Sequence, residues 1–308
     1  MKSLTFVISL ILFSCHEDKE LTLSAKLQVA QKLIIKCKGS DLKFGSIVTK
    51  SSEYILSVDD REQVFINRTK FWVDQTFSVD SGNQLKMQTR FRKIELFQDQ
   101  NGEKETLTVE PNSDLSDPES RIWKYFIASK PFIVWDQHGE IVRHGGLDQL
   151  GDSILNSMEL DAQTKSLMKQ KWDEAVIDMQ KSFSQNLFPG FIRDSVIRKG
   201  NSWVISIQDK AMDIPLELKT NYTVESWNTE DANFSSSADI LIDNAISAQF
   251  PGSRIQLNGL QKGNYQIDRS NGLVKKSNVK TEAKGFVNLA GKSVPVKVKN
   301  EVSVEPVK

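Results

Sequence analysis

Val294-Pro295-Val296-Lys297-Val298-Lys299-Asn300-Glu301-Val302-Ser303-Val304 places valine at every second position except one, where Asn300 stands. Period two is the repeat of a β-strand, so the valines share one face and the lysines, glutamate and serine share the other. The same alternation recurs upstream. Leu216, Leu218, Tyr222 and Val224 alternate with Glu217, Lys219, Asn221 and Glu225, while Phe234, Ala238, Ile240, Ile242, Ile246, Ala248 and Phe250 share one parity. Leu85, Met87 and Phe91 are followed by Ile94 and Leu96, and this change of parity without a break predicts a β-bulge near Arg92 and Lys93. From Leu21 the odd positions Leu23, Ala25, Leu27, Val29, Leu33, Ile35 and Cys37 are apolar, which predicts a first strand with one wet face. Cys37 falls on its apolar parity and reads as a small buried hydrophobe rather than a reactive thiol.

Asp99-Gln100-Asn101-Gly102, Asp136-Gln137-His138-Gly139 and Arg269-Ser270-Asn271-Gly272 separate such runs. Each offers Asn, Asp or Gly where a tight hairpin needs positive φ, so neighbouring strands pair antiparallel. One stretch has helical spacing instead. Leu147–Ser157 and Asp161–Leu187 carry apolar residues near one face, among them Leu160, Leu167, Met168, Trp172, Met179 and Phe183, with Asp161 as an N-cap and Phe188-Pro189-Gly190 as the stop. The other tryptophans, Trp72, Trp123, Trp135, Trp203 and Trp227, lie within strand patterns and read as core.

Long strands with one apolar face must have that face covered. The expected fold is mainly β (α+β), a long, strongly curved antiparallel sheet or half-barrel with the helical segment packed on its concave face, and a two-sheet sandwich is the alternative. The layout is a first β block at 21–145, a helical segment at 146–187 and a second β block at 188–308, with 21–308 forming one domain.

The N-terminus reads as an export signal. Lys2 supplies a positive start, Leu4–Phe13 an apolar run too short to span a bilayer, and Leu12-Phe13-Ser14-Cys15 a lipobox. Residues 1–14 are then a signal peptide, Cys15 carries the lipid, and 15–20, with the charged run His16–Glu20, form the tether. Two or three acyl chains hold a protein stably on a membrane, where one would be marginal. The expected location is the outer membrane, with the domain facing the periplasm or the surface.

The chain has 40 basic and 40 acidic side chains, so removing Lys2 with the signal leaves 39 against 40 and a net charge of −1. That balance does not point to nucleic acid. With Cys15 lipidated, Cys37 is the remaining cysteine and no intramolecular disulfide forms.

Ile197-Arg198-Lys199-Gly200-Asn201-Ser202-Trp203 resembles a V-x-x-G-(D/N)-S-W element of uncharacterised Bacteroidota lipoproteins, in families of unknown function. Phe132–Arg143 with Gly146-Leu147-Asp148, and Gly263–Asp268 with Asn271-Gly272-Leu273, fit the same pattern. Such families are distantly similar to curved-sheet carriers of lipids and lipoproteins. The resemblance implies a curved sheet and supplies no catalytic residues.

His138, His144 and Glu140 flank one turn, but no zinc motif supports a metal site there. Ser202 lies outside any Gly-x-Ser-x-Gly elbow, and Asp114, Asp117 and Glu119 lack calcium-loop spacing, with Pro111 and Pro118 marking what reads as a solvated connector. The expectation is a non-enzymatic, lipid-anchored envelope protein without catalytic residues, metal or cofactor. Its curved sheet would bind a lipid or another apolar or amphiphilic ligand, with Met168, Trp172 and Met179 facing the ligand from the helix. The alternatives are a structural or accessory subunit, whose protein partner the sequence does not name, and, third, an envelope hydrolase.

Overall fold

In a computed structural model of the chain, the described residues are 23–58, 61–113, 118–138, 140–156, 161–170, 172–173, 200, 202–211, 214–246, 254–289 and 291–307. Among the described residues, twelve strands form one antiparallel sheet. In chain order the elements are α1 (Leu23–Cys37), β1 (Leu42–Val58), β2 (Arg61–Asp80), β3 (Gln84–Gln100), β4 (Glu103–Val109), α2 (Pro118–Ala128), β5 (Phe132–Trp135), β6 (Ile141–Gly145), α3 (Asp148–Asn156), β7 (Ser202–Ala211), β8 (Ile214–Trp227), β9 (Asp231–Ile246), β10 (Arg254–Asp268), β11 (Val274–Leu289) and β12 (Lys292–Pro306). A further helix, α4, covers 162–170.

The spatial order is β6-β5-β3-β2-β1-β12-β11-β10-β9-β8-β7, with β4 also on β3. The C-terminal strand β12 therefore joins the two β blocks, pairing β1 on one side and β11 on the other. The sheet is curved and unclosed, and the expected half-barrel holds. Its curvature is visible in one cluster: Leu273, in the turn after β10, shares a core with Trp135 of β5 through Leu33, Ile34 and Cys37 of α1. Laid flat at about 4.8 Å per strand, the intervening strands would hold these residues too far apart for one helix to bridge.

The bulge falls where the parity change predicts it, since Trp72 opposes Lys93 and Val73 opposes Phe91, leaving Arg92 as the extra residue. The hairpins form as read. Asn101 (φ 55°) and Gly102 (φ 91°) take the left-handed conformation of a two-residue turn, and Gly102 N–H donates to Asp99 Oδ1 at 2.8 Å. Asp136 Oδ1 accepts from the N–H groups of His138 and Glu140.

Two readings are corrected. The stretch from Leu21 is not a strand, since Leu23–Cys37 is helical. Ala30, Leu33, Ile34 and Cys37 are buried while Ile35 is 67% exposed, which is i, i+3, i+4, i+7 spacing overlaid on an accidental odd parity. Cys37 is nonetheless the small buried hydrophobe expected: burial pushes its thiol up, against a backbone hydrogen bond at Leu42, and Sγ lies 3.5 Å from Phe77 O. The second correction concerns the tryptophans read as strand core: Trp123 is buried but lies on α2, Trp227 is 44% exposed and Trp72 is half-buried on the outer face; Pro118, expected in a connector, opens α2, where its missing N–H costs nothing. Asp161 caps α4 as expected, accepting from Thr164 N–H at 2.9 Å and Thr164 Oγ1 at 2.6 Å.

The turn that meets α1 is held by Asp268. Its carboxylate accepts from Ser270 N–H at 2.7 Å and from Asn271 Nδ2 at 3.0 Å, and Lys36 of α1 donates to Ser270 Oγ at 2.9 Å. Burial pushes the Asp268 carboxyl up, but the Ser270 hydrogen bonds together with Lys275 and Lys36 outweigh it and hold it below its usual value. A depressed carboxyl contributes stability above its unfolded pKa, and that stability is lost as the pH falls through the lower folded value. Asp268→Asn is expected to cost about 1 kcal/mol at neutral pH. The gap from the parent should close as the pH drops below the usual carboxylate range near about 4, a trend that urea unfolding at stepped pH measures.

Candidate ligand-binding face

Paired residues of an antiparallel ladder share a face, so the registers define what the inner face carries. The helices pack on that face over β2, β3 and β4: Trp123, Phe126 and Ile127 of α2 and Leu150 and Ile154 of α3 are buried against Val73, Phe91, Ile94, Leu96 and Val109. The same face continues across β1 and β12 to β8. Leu56, Val296, Gly285, Leu257 and Ile242 form one row across five strands, and Tyr54, Val298, Ala283, Gly259 and Ile240 form the next. With Leu218, Ala238, Ile255 and Val287 the side chains in these rows make a second apolar cluster, at most 7% exposed except for the half-buried Tyr54, Leu56 and Ala283. Burial holds the Tyr54 phenol above its usual range, against a hydrogen bond with Ser52.

The following row is polar. Gln98, Asn67, Ser52, Asn300, Thr281 and Gln261 are cross-strand partners on six successive strands, all half-buried. Gln261 Nε2 donates to Thr281 Oγ1 at 3.3 Å. Beyond it lie Lys50, Val302, Val279, Gly263, Ser236, Tyr222 and Trp203, again in register. An aromatic cluster closes this end: Trp203 stacks on Tyr222 at 6.3 Å and 24°, meets Phe234 edge-on at 6.2 Å, and Tyr222 lies 6.1 Å from Tyr265. The inner face is thus an apolar field, a polar band and an aromatic end.

Among the described residues, three buried polar atoms on this face have no hydrogen-bond partner: Asn300 Oδ1 in the polar band, Thr220 Oγ1, and Trp203 Nε1 at the aromatic end. Thr220 is 1% exposed and Trp203 7%. Nine in ten or more buried polar groups are satisfied, because leaving one unpaired costs about 1–3 kcal/mol.

Of the residues assigned from sequence, Trp172 is 8% exposed and belongs to the helix core. Its Nε1 donates to Leu147 O at 3.3 Å and its ring lies 6.2 Å from Phe126. Met168 is half-buried on α4, one turn before it. Met179 and Cys15 lie outside the described residues. His138 and His144 are both exposed, and no three metal-binding side chains gather among the described residues. The polar band escaped the sequence reading because in a strand such as β12 it is one break in an apolar parity, and only the register lines it up with the polar positions of the neighbouring strands.

A curved, unclosed antiparallel sheet with helices laid on its inner face defines an open half-barrel protein. More particularly, the chain belongs to DUF6263, a family of unknown function, whose pattern matches residues 82–274. The family resemblance read from short motifs therefore holds. No curated protein matches. Among solved structures the chain is similar to one described as lipid-protein interactions in lipovitellin, with a TM-score of 0.46 and 10% identity over 86% of this chain and 25% of that one. The chain spans about a quarter of that protein's length.

Proposed function

We propose that the protein is a non-enzymatic, lipid-anchored envelope protein, attached to the outer membrane through Cys15, and that the inner face of its sheet binds an amphiphilic ligand. The apolar field receives the chain of the ligand and the aromatic end and polar band receive its head. The observation that carries this reading is the set of unpaired buried polar atoms, Trp203 Nε1, Thr220 Oγ1 and Asn300 Oδ1, beside an apolar field on the inner face. A ligand with both donor and acceptor atoms would satisfy them where an alkane would not.

The chain from residue 16 onward retains every described residue and is the material for the test. It should bind a fluorescent fatty acid or phospholipid stoichiometrically, and no binding across a broad lipid panel would remove the reading. Trp203→Phe discriminates further. It keeps an aromatic ring and deletes the orphan N–H, so stability should hold within about 1 kcal/mol or rise. Ligand affinity should fall roughly tenfold, the equivalent of about 1.4 kcal/mol for the lost hydrogen bond. Unchanged affinity in this variant would place the ligand's head elsewhere.

A further inference from the structure

The outer face of the first β block carries a charge pattern that the ligand face does not use. On β1, β2 and β3, Lys43, Thr76 and Gln88 form one outward row and Gly45, Asp74 and Arg90 the next. With Lys130, which follows α2, they line a groove of about 480 Å³. Gly45 leaves its floor open, because a side chain there would meet Asp74 Oδ1 and Val307 at 3.4 Å.

Among the described residues the one carboxylate lining this groove, Asp74, is already engaged, and so are Glu95 and Asp80 farther along the same face. Asp74 pairs with Arg92 at 3.2 Å, Glu95 with Lys93 at 2.7 Å, and Asp80 with Arg143. Lys43, Arg90 and Lys130 are exposed and have no ion pair among the described residues. Beside them the same face presents half-buried aromatic rings under cations. Lys70 and Lys93 lie 4.5 and 4.9 Å from the Trp72 ring, and Lys86 and Arg143 lie 5.1 and 5.9 Å from Phe132. In a chain whose formal net charge is zero, this is a local excess of positive charge with amphipathic rings among it.

We propose that this outer face docks on an anionic phospholipid surface, with Lys43, Arg90 and Lys130 seating a headgroup phosphate in the groove. The chemistry fits one occupant. Uncompensated cations around a polar floor of Thr76 and Gln88 suit a phosphate with several acceptor oxygens, and rings flanked by lysine and arginine suit the boundary between headgroups and acyl chains. The site lies on the face opposite the proposed ligand site, and the two stand or fall separately.

Flotation of the chain from residue 16 onward with phosphatidylcholine vesicles, with and without phosphatidylglycerol, tests this. Binding is expected to the anionic vesicles and to weaken as salt is raised. Each basic residue near such a surface contributes about a factor of five, so Lys43→Glu, Arg90→Glu and Lys130→Glu together, which reverse three charges, should weaken binding by at least about a hundredfold. Lys284→Glu, on the outward side of β11, should leave it unchanged. Equal flotation with neutral vesicles, or wild-type flotation of the triple variant, would overturn the proposal. So would strong binding of inorganic phosphate by a chain that ignores anionic vesicles, since that identifies a free-anion site.

Discussion

Gly285→Ala is expected to cost about 3 kcal/mol, at the upper end of what overpacking a well-filled site usually costs. A Cβ on Gly285 would stand 1.8 Å from Gln256 O, and one on Gly259 would stand 2.2 Å from Glu282 O and 2.6 Å from Ala283 Cα. The two glycines face each other's strands in adjacent rows, Gly285 opposite Leu257 and Gly259 opposite Ala283. Here the backbones of β10 and β11 approach too closely for any side chain on the inner face. Glycine within a strand marks such an approach, and it is how a sheet is bent sharply without breaking its ladder. Relief would need the strands to part, which sacrifices the hydrogen bonds between them. For a chain of this size the loss should lower the melting temperature by roughly 6–10 °C. Gly45→Ala is the control, because its nearest contacts, at 3.4 Å, are side-chain atoms of Asp74 and Val307. Equal melting of the two variants would show that the close approach does not exist in solution.

The sheet was legible because its strands are long and wet on one side, which makes parity an unambiguous signal. Even the bulge at Arg92 shows in sequence, since one extra residue switches which positions are apolar. Parity failed at Leu23–Cys37, where alternate apolar residues coincide with helical spacing; the adjacent pair Leu33 and Ile34, both buried, was the discriminating feature. It also failed at Trp123, because α2 is only 11 residues long and a short amphipathic helix leaves little periodicity to read. The candidate site was less legible still. Asn300 interrupts a run of valines, and in one strand that is a blemish. Opposite Ser52 on one side and Thr281 on the other, it becomes part of a band that divides an apolar face. A property that depends on register across six strands is carried by pairings between distant segments, and no window along the chain contains it.

Trp172→Ala should cost about 3–5 kcal/mol, the usual range for removing a buried large aromatic, and the way in which it couples to Gly151 identifies the role of the ring. A Cβ on Gly151 would lie 2.3 Å from both Cδ1 and Nε1 of Trp172, so the indole rests directly on the bare backbone of α3. The indole N–H is spent on Leu147 O and the ring on Phe126. The sequence assigns Trp172 to a ligand, whereas this packing makes it the anchor that ties its helical segment to α3 and, through α2, to the sheet. The double-mutant cycle separates the two roles. In the parent chain Gly151→Ala drives a methyl into the indole and destabilises the fold. With Trp172 already alanine the clash is gone, and the helix propensity of alanine over glycine should make the same substitution stabilising by up to about 1 kcal/mol. A change of sign between backgrounds is the signature of an anchor seated on a glycine. If Gly151→Ala cost the same in both, the indole would have to lie away from α3 and would again be free to face a ligand. Because the anchor sits over β2–β4 and the unpaired polar atoms lie at Thr220, Trp203 and Asn300, Trp172→Ala should lower stability while leaving lipid affinity of the folded protein unchanged.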